Sequence, residues 1–563
     1  MRKSLAVVVV CLLAAGAAVG QISRKSAVPK TYVAPGLPAG ASAAMHDVND
    51  DRIRADIKYL SSDELEGRGT GARGGELAAR YVATQFELAG LKPLGDKGTF
   101  LQNVPMVGIT TTAESTLSVT TPKGTTELRQ LDDTVIMDES QKNISDLNSG
   151  VIFVGYGITA PEFKWDDYAG VDVKGKVLLM LVNEPPSDDP KYFGGKALTY
   201  YGRWTYKYEH AAQMGAAGVI LIHKTEMASY GWEVVRSSWS GERSYLRGDA
   251  SPKLSLASWV QLDVARKMLA DSGKDLDEFM KAAQQKGFKA VPLPVKVKAH
   301  VESKVRPFDA YNVIGEMPGA DAKLKNEAVI ITAHYDHLGI RPDMKGDNIY
   351  NGALDNASGS AMLVEMARAA SSSPNKPKRS IIFAAVTGEE QGLLGSKYLG
   401  EHSPVPVRKI SLNLNFDSIA PLGIPKETSA GGYERTNFAP IFEKTAADFG
   451  MKIMPPQHPE SGGYYRSDHF SFARVGVPAF SLNTGNKFEG HSEDWVKERQ
   501  KKNSTNYHQV TDEFQPDGDY RTDAVMARFG LALAWKAADL PTLVQWKAGD
   551  EFESARKAQA GQP

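Results

Sequence analysis

Along residues 328–390 the apolar positions fall into a strand, helix, strand order. AVIITAH is an unbroken β-branched run, NGALDNASGSAMLVEMARAA carries helical spacing, and RSIIFAAV is a second unbroken run. The alternation continues downstream with a helix (QGLLGSKYLGEH), a strand (KISLNLNFDS), a helix (FAPIFEKTAADFG), a short strand (VPAFSLN) and a final helix (AVMARFGLALAWKAADL). A polar loop running through KNSTNYHQVTDEF is expected before that last helix. Strands alternating with helices predict an α/β fold, a mostly parallel mixed sheet with helices on both faces.

Upstream the texture differs. Residues 47–90 read as two helices around the Gly-rich turn GTGARGG, with Leu77, Tyr81, Val82, Phe86 and Leu88 at helical spacing and Gly90 as a stop. These are expected to be packing elements. Residues 103–304 hold short β-rich runs (VIFVGYGI, KVLLMLVNEPP, GVILIHK) and one helix (YKYEHAAQMGAAG), the pattern of a β-rich module inserted into the main sheet domain. The division expected is 1–20 signal peptide, 21–46 linker, 47–102 first part of the main domain, 103–304 insert, 305–542 main domain with the site, and 543–563 a polar, loosely held tail.

Length alone suggests more than one domain in 563 residues. With 66 basic against 67 acidic side chains, no global field draws nucleic acid or an anionic membrane. Arg2 and Lys3 before the apolar residues 5–19 have the order of a secretory signal, so the chain is expected to be exported, periplasmic or extracellular, with no membrane partner after its removal. The single cysteine, Cys11, sits inside that run, so a metal site has to use histidine and carboxylate.

Such a set is present. His334 and Asp336 end the first run, Glu389 and Glu390 the second, Asp417 the third, and Asp355 lies in the turn entering the intervening helix. In open α/β sheets ligands bind beyond the carboxyl ends of the strands, which gathers these groups at one rim. So many carboxylates repel unless cations neutralise them. Imidazole and carboxylate without sulfur suit catalytic zinc, with manganese or cobalt as substitutes. His469, His491 and His508 compete for the last imidazole position, and spacing does not separate them.

HYDHLG, NGALDNASG, TGEEQGLLGS, NFDS and YHQVTDEF, in this order, resemble the successive motifs of the M28 zinc exopeptidases, secreted aminopeptidases among them. The resemblance covers roughly residues 47–540. It implies a zinc-exopeptidase (phosphorylase/hydrolase-like) fold holding two zinc ions, His334 and Asp417 on one, Glu390 and His508 on the other, and Asp355 between them. It further implies Asp336 as the carboxylate orienting His334, Glu389 as general base, a peptide as substrate, and His469 close to it. The loop GGYYRSDHFSF resembles the family's substrate-side loop, with Tyr464, or Tyr465 one residue on, as oxyanion donor. VIFVGYGITAP, DYAGVDVKGKVLLM and HAAQMGAAGVILIHK resemble a protease-associated (PA) domain.

Taken singly, each residue has a plainer explanation. Asp355-Asn356 could cap a helix, Glu389-Glu390 could be first-turn acids, and His337 could be a packed or hydrogen-bonded histidine. GRGTGARGG lacks the Gly-Lys-Ser/Thr ending of a phosphate loop and reads as a turn. It is the ordered set that favours an exported di-zinc aminopeptidase. The competing expectations are a carboxypeptidase or single-zinc glutaminyl-cyclase-like enzyme on the same scaffold, or a non-catalytic binding protein of that shape.

Overall fold

The computed structural model describes residues 37–342, 344–455 and 458–561. The expected signal segment, with Cys11, lies outside the described residues. No helix among the described residues is long and apolar enough to cross a membrane.

The three apolar runs become the strands Ala328–His334, Ser380–Val386 and Ile410–Phe416, every residue of which is buried. Ser380–Val386 and Ile410–Phe416 flank Ala328–His334 in parallel, and Ala479–Thr484 adds a fourth parallel strand beyond Ile410–Phe416. Val329, Ile331 and Ala333 turn to a core shared with helices Ala39–Asp47, Asp50–Leu60, Arg73–Leu88, Ser358–Ser372 and Arg521–Asp539. Ala328 and Ile330 turn to a second core with helices Leu394–Glu401 and His469–Arg474. Burial on both faces is why these strands carry no polar alternation. Antiparallel strands flank this centre, with Glu427–Gly431 beside Ala479–Thr484 and the long strand Val291–Met317 beside Ser380–Val386.

That long strand ties the two halves together. Its residues 291–302 pair inside the inserted sheet, with strand Ile144–Phe153, while residues 303–317 pair in the main sheet. The insert has a parallel centre of its own, Val177–Leu181, Gly218–His223 and Leu256–Gln261. The expected boundary at 103 moves, because Leu101–Thr111 pairs along residues 303–313 and so belongs to the main sheet. Strand Glu242–Leu246, within the insert by sequence, pairs with Leu101–Thr111 as well.

Three further expectations change. Residues 39–46 of the expected linker are helical, with Ala41, Ala44 and Met45 buried, and Arg528 donates to the carbonyls of Met45 (3.1 Å) and Val48 (2.8 Å). The polar loop before residue 508 contains the helix Glu493–Asn506, capped by the Ser492 hydroxyl. The tail is packed: Val544, Trp546 and Phe552 are buried, and Asp550 holds Arg435 through paired bonds of 2.7 and 2.9 Å. Phe552 lies under the Arg435 guanidinium and against Trp546. Phe552→Ala is therefore expected to cost about 3 kcal/mol, read as a lowered unfolding midpoint. A loosely held tail would leave the midpoint unmoved.

Candidate metal centre

Parallel strands point their carboxyl ends the same way, so His334, Asp417 and, just past Thr387-Gly388, Glu389 and Glu390 emerge at one edge. Asp355 reaches that edge from the irregular turn Ala353–Ala357. The turn needs a glycine before it: at Gly352, with φ 56°, a Cβ would lie 2.2 Å from the Asp355 carbonyl oxygen and 2.6 Å from the His337 ring.

Asp355 directs one oxygen to each of two imidazoles. Oδ1 is 3.3 Å from His334 Nε2, and Oδ2 is 3.3 Å from His508 Nε2. His334 Nε2 is also 3.4 Å from Asp417 Oδ1, and His508 Nε2 is 3.0 Å from Glu390 Oε2. Four ligands about 2.0–2.1 Å from a tetrahedral ion stand about 3.3 Å from one another, so these separations fit two trios sharing Asp355. The atom directions agree, since His508 Nε2 is buried and, among the described residues, has no hydrogen-bond partner despite its two close carboxylates. His334 Nδ1 is 3.2 Å from the main-chain oxygen of Asp336, and an N–H donated there keeps the Nε2 lone pair free. This donor set, nitrogen and oxygen without sulfur, suits zinc.

His337 also falls within ligand reach of Asp355 and Glu390. Its Nδ1, however, is 2.6 Å from Glu390 Oε1. That is too close for two ligands of one ion and right for a charge-assisted hydrogen bond. His337 thus orients Glu390 and leaves Oε2 to His508. His491 stacks on Trp495 in a separate loop, with ring centroids 3.9 Å apart.

The electrostatics show how much negative charge the rim carries. Burial opposes charge on His334, yet Glu389 and Asp417 hold it well above the usual imidazole range. Burial likewise opposes charge on His508, and Glu390 with Asp355 pushes it up to about 10. Burial works against ionised Glu390 too, but His508 and His337 bring it down to about 2. Burial, reinforced by Glu390, Asp417 and Asp468, raises Glu389 well above the carboxylate range. Asp468, fully buried, is pushed up to about 7 by burial. Divalent cations would relieve this field, and ions held there require neutral imidazoles.

Two expected roles change in detail. The Asp336 carboxylate is 3.9 Å from His334 Nδ1, and the main-chain oxygen makes the bond instead. The carboxylate accepts from the Thr70 hydroxyl (2.6 Å) and the Glu389 N–H (3.4 Å), so it aligns the Glu389 backbone. The oxyanion candidates point away from the rim: the Tyr464 hydroxyl donates to the Ala479 carbonyl (3.0 Å) and that of Tyr465 to Glu551 (2.8 Å). A hydroxyl spends its one proton in such a bond. His469, expected near substrate, is buried against the Tyr464 ring, and burial pushes it down to about 4.

Sequence reading missed the residues that hold this geometry. Asp512 accepts the N–H groups of Leu354 and Asp355, each at 3.0 Å, and so aims the shared carboxylate. Ser467 donates to Asp417 (2.6 Å), accepts from Asn415 (2.8 Å), and Asn415 in turn accepts from Thr332 (2.7 Å). Arg68, fully buried, donates to the carbonyls of Tyr335 (2.8 Å), Asn351 (2.6 Å), Gly352 (2.8 Å) and Leu60.

Two imidazole-carboxylate trios sharing one carboxylate, at the carboxyl edge of an α/β sheet, define a site with the donor set to hold two metal ions. Residues 312–533 match the model of peptidase family M28, and this part of the chain is an M28 peptidase domain. Leupeptin-inactivating enzyme 1 of Streptomyces exfoliatus is 33% identical over 178 residues, 31% of this chain and 36% of that protein. Aminopeptidase YwaD of Bacillus subtilis is 28% identical over 252 residues, 44% of this chain and 50% of that one. A probable zinc metalloprotease of Pyrenophora teres is 24% identical over 351 residues, 57% of this chain and 66% of that one. The chain thus spans between about a third and two thirds of these relatives. The solved structure of an aminopeptidase from Aneurinibacillus sp. strain AM-1 shares the fold, with TM-score 0.51, 20% identity, 91% of this chain and 98% of that one covered.

Proposed function

We propose that this chain is an exported aminopeptidase that uses two zinc ions, replaceable by manganese or cobalt, to remove N-terminal residues from peptides. The observation that carries the reading is Asp355, whose two oxygens each face a different imidazole at 3.3 Å. His334 and Asp417 would hold one ion, Glu390 and His508 the other, and Asp355 both. The ions supply Lewis acidity toward the scissile carbonyl and the attacking water.

The side chains do the rest. Glu389, part-exposed at the rim, accepts the proton of the attacking water and returns it to the departing amine. Asp336 fixes the backbone from which Glu389 extends, and His337 keeps Glu390 turned to its ion. Ser467 and Asp512 keep Asp417 and Asp355 in register. In this reading the insert is a PA domain beside the substrate entrance, and the basic-then-apolar start of the chain directs export.

Metal analysis should return about two zinc ions per chain, in line with a two-metal site. A chelator should abolish hydrolysis of leucyl-p-nitroanilide, and zinc should restore it. One ion per chain together with cyclisation of N-terminal glutamine would replace this reading by the cyclase one. Metal-loaded protein that cleaves no member of a broad aminoacyl panel would replace it by a binding protein.

A further inference from the structure

At the amino ends of the parallel strands, the edge of the main sheet opposite the metal centre, lies a second concave site. A cavity of about 370 Å³ is lined there by Arg408 and Lys409, from the turn entering strand Ile410–Phe416, and by Leu543, Gln545, Arg556 and Lys557 of the C-terminal segment. Its lining holds four cationic side chains and no acid. Lys409 and Asp417 stand at opposite ends of one strand, about 25 Å apart at about 3.3 Å per residue, so the cavity and the metal centre are separate. Packing fixes the walls. The Val544 N–H donates to the Ser411 hydroxyl (3.1 Å), and the Trp546 indole N–H to the Gly476 carbonyl (3.0 Å). Helix Glu553–Ala560 is pressed on Gly476, where a Cβ would lie 2.5 Å from the Arg556 backbone nitrogen. The Arg556 guanidinium then clamps this helix to the turn, donating to the carbonyls of Val407 (3.3 Å) and Ile410 (3.0 Å).

Charge around this cavity is unbalanced. Nearby covered arginines meet carboxylates, Arg379 with Glu327 and Arg435 with Asp550, each at 2.7 Å. Of the four cavity cations only Lys557 has an ion pair among the described residues, with Glu553 at 2.7 Å. Arg408, Lys409 and Arg556 have none among them, although Arg556 is only 6% exposed and the other two are half-buried. Burial pulls Arg556 down to about 10, against the pull of Glu327, whose carboxylate is already held by Arg379. Three cations facing one concavity repel one another, and the one taken out of water has also lost solvation. An anion in the cavity offsets both costs.

We propose that this cavity, lined by Arg408, Lys409 and Arg556, binds a phosphate-bearing ligand at a site separate from the metal centre. Phosphate matches it better than a lone carboxylate does. A phosphate monoester carries about −1.5 to −2 charges at neutral pH, against three unpaired cations, and guanidinium forks share its several acceptor oxygens. The volume lies within the range of small-molecule sites, about 300–1,000 Å³, which leaves room for more than one phosphate group. A free phosphate compound and a phosphorylated lipid headgroup present the same chemistry. The site does not depend on the aminopeptidase reading, since no metal ligand lines it. A ligand here joins the turn at 407–409 to the C-terminal helix, so it stabilises the folded chain.

The test is calorimetry of the zinc-loaded full chain with pyrophosphate, inorganic phosphate and acetate, repeated on Arg408→Met, Lys409→Met and the double variant. Zinc ions that capture phosphate do so in every variant, so the signal is the component that the substitutions remove. Each single substitution should weaken that component about tenfold or more, and the double should abolish it. Pyrophosphate at a hundredfold excess over its Kd should raise the unfolding midpoint of the native chain by about 2 °C and leave the double variant unmoved. Arg408→Lys with Lys409→Arg keeps the charge and should keep most of the binding, which separates lost charge from a disturbed fold. Cosedimentation with phosphatidylcholine vesicles, with and without phosphatidic acid, separates the two sources. Capture by the phosphatidic acid vesicles that the double variant loses assigns the phosphate to a lipid headgroup, and soluble binding without capture assigns it to a free compound. Equal phosphate and pyrophosphate binding by the native chain and the double variant overturns the proposal, as does acetate binding the cavity as tightly as pyrophosphate.

Discussion

Glu389→Gln should leave the chain folded and loaded with zinc while lowering kcat by about a thousandfold, within the range a positioned general base contributes. That factor corresponds to about 4 kcal/mol of transition-state stabilisation. The amide preserves the shape of the side chain and its backbone bond to Asp336, but it has no basic oxygen to take a proton. KM should change little, because the substitution removes a group whose work is done in the transition state. The acid limb of the pH profile, where kcat/KM falls as the base becomes protonated at lower pH, should disappear in the variant. Glu389 also lies within ligand reach of His334 and Glu390. Metal analysis therefore decides the role: lost zinc would make Glu389 a ligand, and retained zinc with full activity would discard it as the base.

The parts legible in the sequence share one property, in that each is carried by a run of neighbouring residues. Uninterrupted apolar strands announce burial on both faces, and an ionisable residue directly after such a strand must sit at the sheet edge. His334, Glu389, Glu390 and Asp417 were found in that way. Asp355 was visible as an acid in the turn entering the helix, but its shared position and the choice of His508 over His469 and His491 came from the family resemblance, because an irregular turn and a polar loop have no period. The helix Glu493–Asn506 escaped because, of its fourteen residues, only Val496 and Asn503 are buried, so it shows no apolar stripe. The tail was misread for a related reason: Val544, Trp546 and Phe552 are anchors spread through a polar stretch, and each packs on residues far away in sequence.

The supports of the site were illegible because they join distant segments. Thr70 reaches Asp336 and Asp512 reaches Leu354 and Asp355, and nothing around Thr70 or Asp512 marks the partner. Tyr464 and Tyr465 illustrate the opposite error. Register placed a tyrosine correctly in the loop, yet the bonds to Ala479 and Glu551 set where each hydroxyl points. Sequence position locates a side chain on an element, while packing decides its direction.

Arg68 shows the same lesson with the largest effect on stability. It was read as part of a turn, yet it is fully buried and ties the loop after His334 to the turn before Asp355, donating to the carbonyls of Tyr335, Asn351, Gly352 and Leu60. Burial brings it down to about 10, against the pull of Asp512, Asp355, Asp336 and Glu390, so it remains charged at neutral pH. Arg68→Met removes that cation from beneath the acids together with its hydrogen bonds to four carbonyls, of which only that of Gly352 keeps another donor, the Ala357 N–H at 3.2 Å. The expected loss is about 4–5 kcal/mol, the scale of breaking a buried charged network. Arg68→Lys keeps the charge but cannot span four acceptors, and about half that loss is expected. Zinc affinity should fall in both variants in the same order, since Asp355 and His334 stand on the two loops that Arg68 joins. Denaturant midpoints and zinc titrations measured side by side check this. An Arg68→Met chain with an unchanged midpoint and unchanged zinc affinity would show that the two loops hold their places without it.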